Sequence, residues 1–402
     1  MNIYYWLPFV GKVGTIAAVV NSAISLQKYS KNNYQVTIIN AVGEWSEHLD
    51  LFEKNNIKVI TLNNSKIFKK LPRLGFFFSR LTYFYIFFSC FFRLKKLLHN
   101  NPPDIFVAHL ITSLPLILNF FYSFQTKMVL KTSGLPKFTW IRKYLWKIVL
   151  KKIYFVTAAT QGTITHLEKN KVVNKGKIFI LNNAMLNCKK IQKLKFENLS
   201  NSFLEKDNFI LGVGRLTKQK NFALLIESFV EIIKKFNNLK LAILGEGEDR
   251  EDLNKLIQKN NLNNKVYLLG HQKNIFKFLK NCKCFIQSSL WEDPGFVTIE
   301  AGYCNTPVIS SDCDHGPKEL LLDGKAGFLF ESNNKRDLLN AFENFMNSSK
   351  NEIYKKAIFL KKNSKLFSMY SHYSQFNHIL KFMKTKYIHE EQIEKRMKKL
   401  KI

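Results

Sequence analysis

From Phe209 to Ser310 the chain alternates short apolar runs with amphipathic helical patterns, and that alternation leaves few folds open. Phe209–Val213 reads as a strand. Asn221–Phe236 reads as a helix, with Leu225, Phe229, Ile232, Ile233 and Phe236 on one stripe. Strand patterns follow at Leu239–Leu244, Val266–Leu269, Phe285–Gln287 and Val308–Ser310. Helical patterns separate them at Arg250–Lys259, Asn274–Lys280 and Phe296–Cys304. Strands alternating with helices in this way imply a parallel sheet covered by helices on both faces.

The first half repeats the theme. Strands are expected at Ile3–Pro8, Gln35–Asn40, Lys58–Leu62, Ile105–His109, Lys127–Lys131, Ile153–Thr157 and Lys177–Leu181, with helices between them. The first helix, Gly14–Tyr29, follows a loop holding Gly11 and Gly14. A chain of 402 residues exceeds what one core usually covers. The expected organisation is an α/β protein of two Rossmann-like, doubly wound domains facing a cleft. Residues 1–186 form the first domain, polar 187–207 a linker and 208–350 the second domain. A helical segment, 351–385, packs back on the first domain, and 386–402 form a charged tail.

Charge is the unusual feature of the composition. Lys and Arg total 62 against 30 Asp and Glu, a net of +32. Such an excess favours anionic partners, although the abundance of Lys, Asn, Ile and Phe also fits a general compositional bias. The six cysteines form no CxxC pair, which suits reduced thiols in a cytosolic protein. The N-terminus lacks a basic leader region and reads as strand, loop and helix. Leu74–Leu94, LGFFFSRLTYFYIFFSCFFRL, is long enough to span a bilayer. Arg80 and Arg93 within it and Lys95 and Lys96 after it favour a buried or surface-lying helix. Lys137–Lys152 likewise mixes Trp140, Tyr144, Trp146 and Ile148 with six basic residues, as interfacial helices do. An inward apolar face with a solvated basic face is the alternative.

Two segments carry candidate chemistry. In Val213–Asn221, VGRLTKQKN, a strand passes into a helix through a glycine turn, and Arg215 and Lys220 lie five residues apart. A planar guanidinium, a point charge and a helix start suit a diphosphate. Taken alone, the loop is equally a solvated basic turn. In Trp291–Ser311, WEDPGFVTIEAGYCNTPVISS, Glu292 precedes a helix opened by Pro294 and Gly295, and Glu300 lies within that helix. Amides from Gly295 to Thr298 are helix-start donors for phosphate oxygens. Without their flanks the two carboxylates would pass for unrelated surface groups.

These segments, in this order, resemble the GT-B glycosyltransferases of family 4, also called glycosyltransferase group 1. The E-x7-E pattern Glu292…Glu300 matches the family signature, and GRLTKQKN matches its phosphate loop. Leu244–Leu253, LGEGEDREDL, and Tyr267–Ile275, YLLGHQKNI, match loops between them. The dense match covers about Phe209–Phe330. The first half agrees more loosely, and PDIFVAHLITSLP and TSGLPKFTW look like the version in bacterial surface-polysaccharide enzymes.

The resemblance implies a retaining glycosyl transfer that needs no metal or cofactor. The co-substrate would be a nucleotide-sugar, a UDP-sugar by preference. The acceptor would be a lipid-linked or surface glycan at the inner face of a cytoplasmic membrane, as in lipopolysaccharide or other polysaccharide biosynthesis; nucleic acid is not an expected partner. Arg215 and Lys220 would bind the diphosphate and, with Glu292, form the catalytic set. Glu300 would hold the ribose, and His271 and Gln272 would edge the base. The amides of Gly295, Phe296, Val297 and Thr298 would meet the donor, and Gly11 and Gly14 would let the first loop approach it. Many relatives carry a His near Lys131–Ser133, and that role is not carried over to this chain; Lys131 and His109 are acceptor-side candidates, with a structural His at a strand end as the plainer reading of His109, and the leaving phosphate can act as base instead. Asp312-Cys313-Asp314 has the form of a metal-binding D-x-D but follows a late strand of a parallel domain. His315 to Glu319 would shape the sugar pocket, with helix capping by Asp314 as the plainer reading. Two other functions remain open at this level: a nucleotide-sugar 2-epimerase of similar fold, and a non-catalytic basic membrane-binding protein.

Overall fold

The computed structural model describes residues 1–9, 14–64, 76–109, 112–132, 134–199, 204–313 and 316–400. The chain forms two compact units. One comprises Met1–Ala158, Leu167–Ala184 and the chain from Met369 onward. The other comprises Ala159–His166 and Met185–Ser368.

The first unit holds seven parallel strands: β1 (Asn2–Trp6), β2 (Gln35–Asn40), β3 (Lys58–Thr61), β4 (Ile105–Ala108), β5 (Lys127–Lys131), β6 (Phe155–Ala158) and β7 (Ile178–Ile180). Their order is β3-β2-β1-β4-β5-β6-β7. Ile3 pairs with Val36 on one side of β1 and with Ile105 on the other. Several strands end earlier than their apolar runs, β1 among them, because Pro8 has no amide to donate to a ladder. Ile3, Tyr5, Val36, Ile38, Val107 and Val129 are buried against helix Gly14–Tyr29 and against Phe376, Ile379 and Met383 of the last helix.

The helix Phe76–Asn100 explains the aromatic stretch. Ile86, Cys90, Leu94 and Leu98 recur on one face and are fully buried, with the Cys90 thiol bonded to the Ala41 carbonyl at 3.3 Å. Leu81, Phe84, Phe88 and Phe92 recur on another and are exposed, Phe92 by 76%. Two apolar faces, one of them wet, produce the high apolar content. Among the described residues no helix is long and apolar enough to cross a membrane.

The second unit holds β8 (Phe209–Val213), β9 (Lys240–Leu244), β10 (Val266–Leu268), β11 (Cys284–Gln287), β12 (Val308–Ser311) and β13 (Phe328–Phe330). All are parallel, in the order β10-β9-β8-β11-β12-β13. Alternate strand residues serve two cores, as the strand repeat of two requires. Ile210, Leu241, Ile243, Ile286 and Ile309 pack against Leu225, Phe229 and Phe342. Phe209, Leu211, Leu244, Phe285 and Val308 pack against Phe278, Ile299 and Leu360. Both sheets reverse their direction of growth beside their first strand, between β1 and β4 and between β8 and β11. In open α/β sheets, ligands bind beyond the strand C-termini at that reversal.

The joining segments differ from the sequence reading. The expected linker 187–207 contains a helix, Cys188–Leu194, capped by the Asn187 side chain, and Ile191 and Leu204 enter the second core. Lysines on its outer face mask that periodicity. The helical segment 351–385 is two helices, Lys350–Ser364 and Met369–Leu400, separated by a short turn at Lys365–Phe367. Leu360 of the former lies in the second unit's core, and only the latter packs in the first. The turn is fixed from outside, since the amides of Met185 and Leu186 donate to the Phe367 carbonyl at 2.8 and 3.0 Å. The expected charged tail from 386 continues the last helix to Leu400; its Glu, Lys, Arg and Met are good helix formers.

Candidate active site

The site is built in the second unit from the loops that follow β8 and β11. The β8 loop is fixed by its backbone. Gly214 donates to the Leu244 carbonyl at 3.0 Å, Leu216 donates to Glu246 at 3.0 Å, and Asp249 donates back to Leu216 at 3.0 Å. The Leu216 side chain is fully buried. Lys220 closes a turn onto Thr217, and its alkyl stem lies over Gly214, where a Cβ would meet it at 3.0 Å. Arg215 is exposed and joins no ion pair among the described residues.

The β11 loop is tied to it. Leu290 donates to the Gln219 carbonyl at 2.8 Å, and the Gln219 amide donates to the Trp291 carbonyl at 2.9 Å. The Ser288 hydroxyl donates to the Lys220 carbonyl at 2.9 Å. The Lys220 ammonium then pairs with Glu292, whose same oxygen accepts from the Ser289 hydroxyl at 2.6 Å. Ser289 is held in turn by Ser311 at 2.6 Å. Lys220 and Glu292, 72 positions apart in sequence, thus meet at the reversal point of the sheet. Their side chains are only 18% and 8% exposed, so the charge pair stands in a largely dry environment where electrostatics act strongly.

Gly295, at φ +90°, turns the chain into helix Phe296–Tyr303. The first amides of that helix have no intrahelical acceptor and form an anion-binding end. The Thr298 hydroxyl donates to Gln287 at 2.5 Å, which ties the helix start to β11. Glu300 lies further along the helix, partly buried, and burial pushes its carboxyl up to about 7. The β9 and β10 loops complete the rim: Gly245 donates to the Gly270 carbonyl at 2.8 Å, next to exposed His271. Gln272 turns back onto the Leu269 carbonyl at 2.8 Å.

Some residues of this site carry no sequence signal. Ser288, Ser289 and Gln219 read as ordinary loop residues. Asp293 accepts from the Thr163 hydroxyl at 2.8 Å and from Thr160 at 3.4 Å, while Glu319 accepts from the Gln161 amide at 3.0 Å. Residues 159–166 therefore brace the Glu292 loop within this unit. Thr163→Val should lower unfolding stability by about 2 kcal/mol, the scale of a hydrogen bond to a charged group. Thr163→Ser should stay near wild type in the same urea titration; equal loss in both would place the effect in packing.

The other sequence candidates stand on other elements. Gly11 falls outside the described residues, and Gly14 begins the first unit's helix. His109 and Lys131 are both buried in the first unit and line a small cavity with Tyr5, Ser22 and His372. Burial, then Lys131 and His372, hold the His109 imidazole well below its usual range, so it is neutral. The Lys131 ammonium donates to the Leu181 carbonyl. His372 was not foreseen. It bonds Ser22 at 2.6 Å and the Asn182 carbonyl at 2.6 Å, and burial drives it down to about 3. Asp312 accepts from the Ser332 amide at 2.9 Å, and Asp314 and His315 lie outside the described residues. No group of three metal-ligating side chains occurs among the described residues.

Residues 195–366 match the family described as glycosyl transferases group 1. This segment is a glycosyltransferase group 1 domain. It contains the whole Lys220–Glu292 arrangement. An uncharacterized glycosyltransferase of Methanocaldococcus jannaschii is 36% identical over 246 residues, covering 57% of this chain and 61% of the relative. The Campylobacter jejuni N-acetylgalactosamine-N,N'-diacetylbacillosaminyl-diphospho-undecaprenol 4-alpha-N-acetylgalactosaminyltransferase is 33% identical over 214 residues, covering 52% and 55%. The chain thus spans less than two thirds of the length of these two relatives. Anabaena Alr3699/HepE in complex with UDP superposes with a TM-score of 0.70 at 16% identity, covering 95% of this chain and all of that one. The two parallel sheets are those of the GT-B fold, with the group 1 domain supplying the second.

Proposed function

We propose that this chain transfers a sugar from a nucleotide-sugar, a UDP-sugar by preference, to a lipid-linked or surface glycan in polysaccharide assembly. The observation that carries this reading is the Lys220–Glu292 pair, set beside a helix start at the reversal point of the second sheet. In it, Lys220 and Arg215 neutralise the departing diphosphate, whose negative charge grows as its bond to the sugar breaks. The amides of Phe296 and Val297 receive phosphate oxygens and Glu300 takes the ribose hydroxyls. His271 and Gln272 border the base. Glu292 faces the sugar and its developing positive charge. The anomeric configuration is retained, with the leaving phosphate accepting the acceptor's proton. No metal is required, so EDTA should leave turnover largely intact; loss restored by manganese would overturn that point.

The C. jejuni relative's name specifies a diphospho-undecaprenol substrate, which supports a lipid-linked acceptor here. The net charge of +32 and the exposed Phe84, Phe88, Phe92, Trp140 and Tyr144 support peripheral attachment to an anionic membrane, on its cytoplasmic side.

A thermal-shift panel of nucleotide-sugars tests the donor assignment. A bound donor at about 100 times its Kd adds about 2.7 kcal/mol, so one member should raise the melting temperature clearly. No shift with any member would contradict it. Glu300 adds a pH test. Its carboxyl titrates near 7 when folded and near 4.5 when unfolded, so the folded chain holds the proton more tightly across that interval. Stability from this group falls as pH rises from 4.5 to 7, whereas the ribose-accepting carboxylate accumulates. Donor affinity should rise about tenfold from pH 6 to pH 8. Glu300→Gln should flatten that dependence in calorimetric titrations.

A further inference from the structure

The first unit contains a cavity of about 1130 Å³, as large as sites for drug-sized ligands and larger than many. One wall is helix Trp140–Val149, which is largely apolar yet has no fully buried residue. Its Ile141, Leu145, Trp146 and Val149 line the cavity, opposite Leu116 and Ile117 of helix Ser113–Phe121. Three cations also line it: Lys131, Lys137 and Arg142. Among the described lining residues there is no carboxylate. Arg142 is oriented, since its guanidinium donates to the Lys137 carbonyl at 3.1 Å and lies 5.5 Å from the Trp146 ring centre.

An apolar wall whose charged complement is wholly cationic, with the hydroxyls of Thr112, Ser113, Thr132 and Thr139 beside it, selects an amphiphilic anion. A free glycan would leave its hydroxyls against hydrocarbon, and inorganic diphosphate would leave the wall wet. The geometry points to this cavity as the seat of a phosphate-bearing lipid, namely the phosphate-proximal end of a lipid-linked acceptor. Its hydrocarbon lies along Ile141, Leu145 and Trp146, and its diphosphate sits at Lys137 and Arg142. The same helix exposes Trp140 by 81% and Tyr144 by 64%, so the cavity wall continues into the apolar surface assigned to the membrane. This assignment rests on the lipid-linked acceptor proposed above and adds where and by which groups it is held.

Calorimetric titration of the full chain with farnesyl diphosphate, inorganic diphosphate, farnesol and dihexanoyl phosphatidylglycerol tests it. Farnesyl diphosphate should bind at least tenfold more tightly than each of the others. Leu145→Glu, at a half-exposed position, and the double variant Lys137→Ala/Arg142→Ala should each weaken it at least tenfold. Both variants should keep the wild-type thermal shift with a nucleotide-sugar, which shows that they fold. Equal binding of phosphatidylglycerol would assign the cavity to bilayer phospholipid and overturn the acceptor version. Unchanged farnesyl diphosphate binding in both variants would overturn the site itself. If the variants lose that binding yet still glycosylate a lipid-linked acceptor, the cavity assignment fails and the proposed function stands. If binding follows the cavity residues but no lipid-linked acceptor is glycosylated, the proposed acceptor fails and the binding site stands.

Discussion

Lys220→Ala should lower turnover by about 100-fold or more, the scale of removing one preorganised donor from developing anionic charge. The ammonium is pinned by its stem over Gly214 and by the loop hydrogen bond from Ser288, and Arg215, exposed in the same loop, does not share its pairing with Glu292. The loss should fall mainly on kcat, because the contact strengthens as the diphosphate leaves. The variant should also lose about 3 kcal/mol of stability, since Glu292 is left as a buried charge that keeps the Ser289 hydroxyl but no cation to pair with among the described residues. Steady-state kinetics and a urea titration measure the two effects separately. Near-normal turnover would remove Lys220 from the reaction, whatever happened to stability.

Gly245→Ala should be the most damaging small substitution in the second unit. A Cβ there would stand 1.8 Å from the Gly214 carbonyl oxygen, and the residue's φ is +144°. Backbone cannot rotate away as a flexible side chain can. The β8 and β9 loops must separate, which breaks the bonds that set Arg215 and Lys220. A loss of about 3 kcal/mol or more is expected, together with loss of the donor-induced thermal shift. Gly324→Ala is the matched control: its φ is +89°, but a Cβ there would meet nothing within 4 Å. Only the conformational penalty of about 1 kcal/mol should appear. Equal effects at the two positions would show that backbone angle, and not loop contact, sets the cost.

The second sheet was legible from β8 to β12 because its largely apolar strands, three to five residues long, are divided by helices of clear period. β13, Phe328–Phe330, was missed because it is as short as β10 but follows only a four-residue helix, Pro317–Leu320, where β10 follows the periodic Arg250–Lys259. The break at Lys365–Phe367 has no proline or glycine to announce it; amides of Met185 and Leu186, far away in sequence, impose it. The site was legible to the extent that a local pattern sufficed. Arg215, Lys220, Glu292 and Glu300 stand in short motifs, but nothing local says that Lys220 and Glu292 pair. That follows from parallel topology, which sets the ends of β8 and β11 side by side. Ser289, Thr163 and His372 were invisible because serine, threonine and histidine take on meaning only through their partners. Gln272 stands in a motif too, but nothing local says that its amide donates to the Leu269 carbonyl.

Acceptor-dependent release of nucleoside diphosphate is the most direct measurement. The full chain is incubated with the nucleotide-sugar that raises its melting temperature, with and without a lipid-linked glycan, and the product's anomeric configuration is read by proton NMR. The expected result is release only when acceptor is present, a product with the donor's configuration, and a rate at least about 100-fold lower for Lys220→Ala. Release without acceptor, or a rate unaffected by loss of Lys220, would contradict glycosyl transfer at the Lys220–Glu292 site.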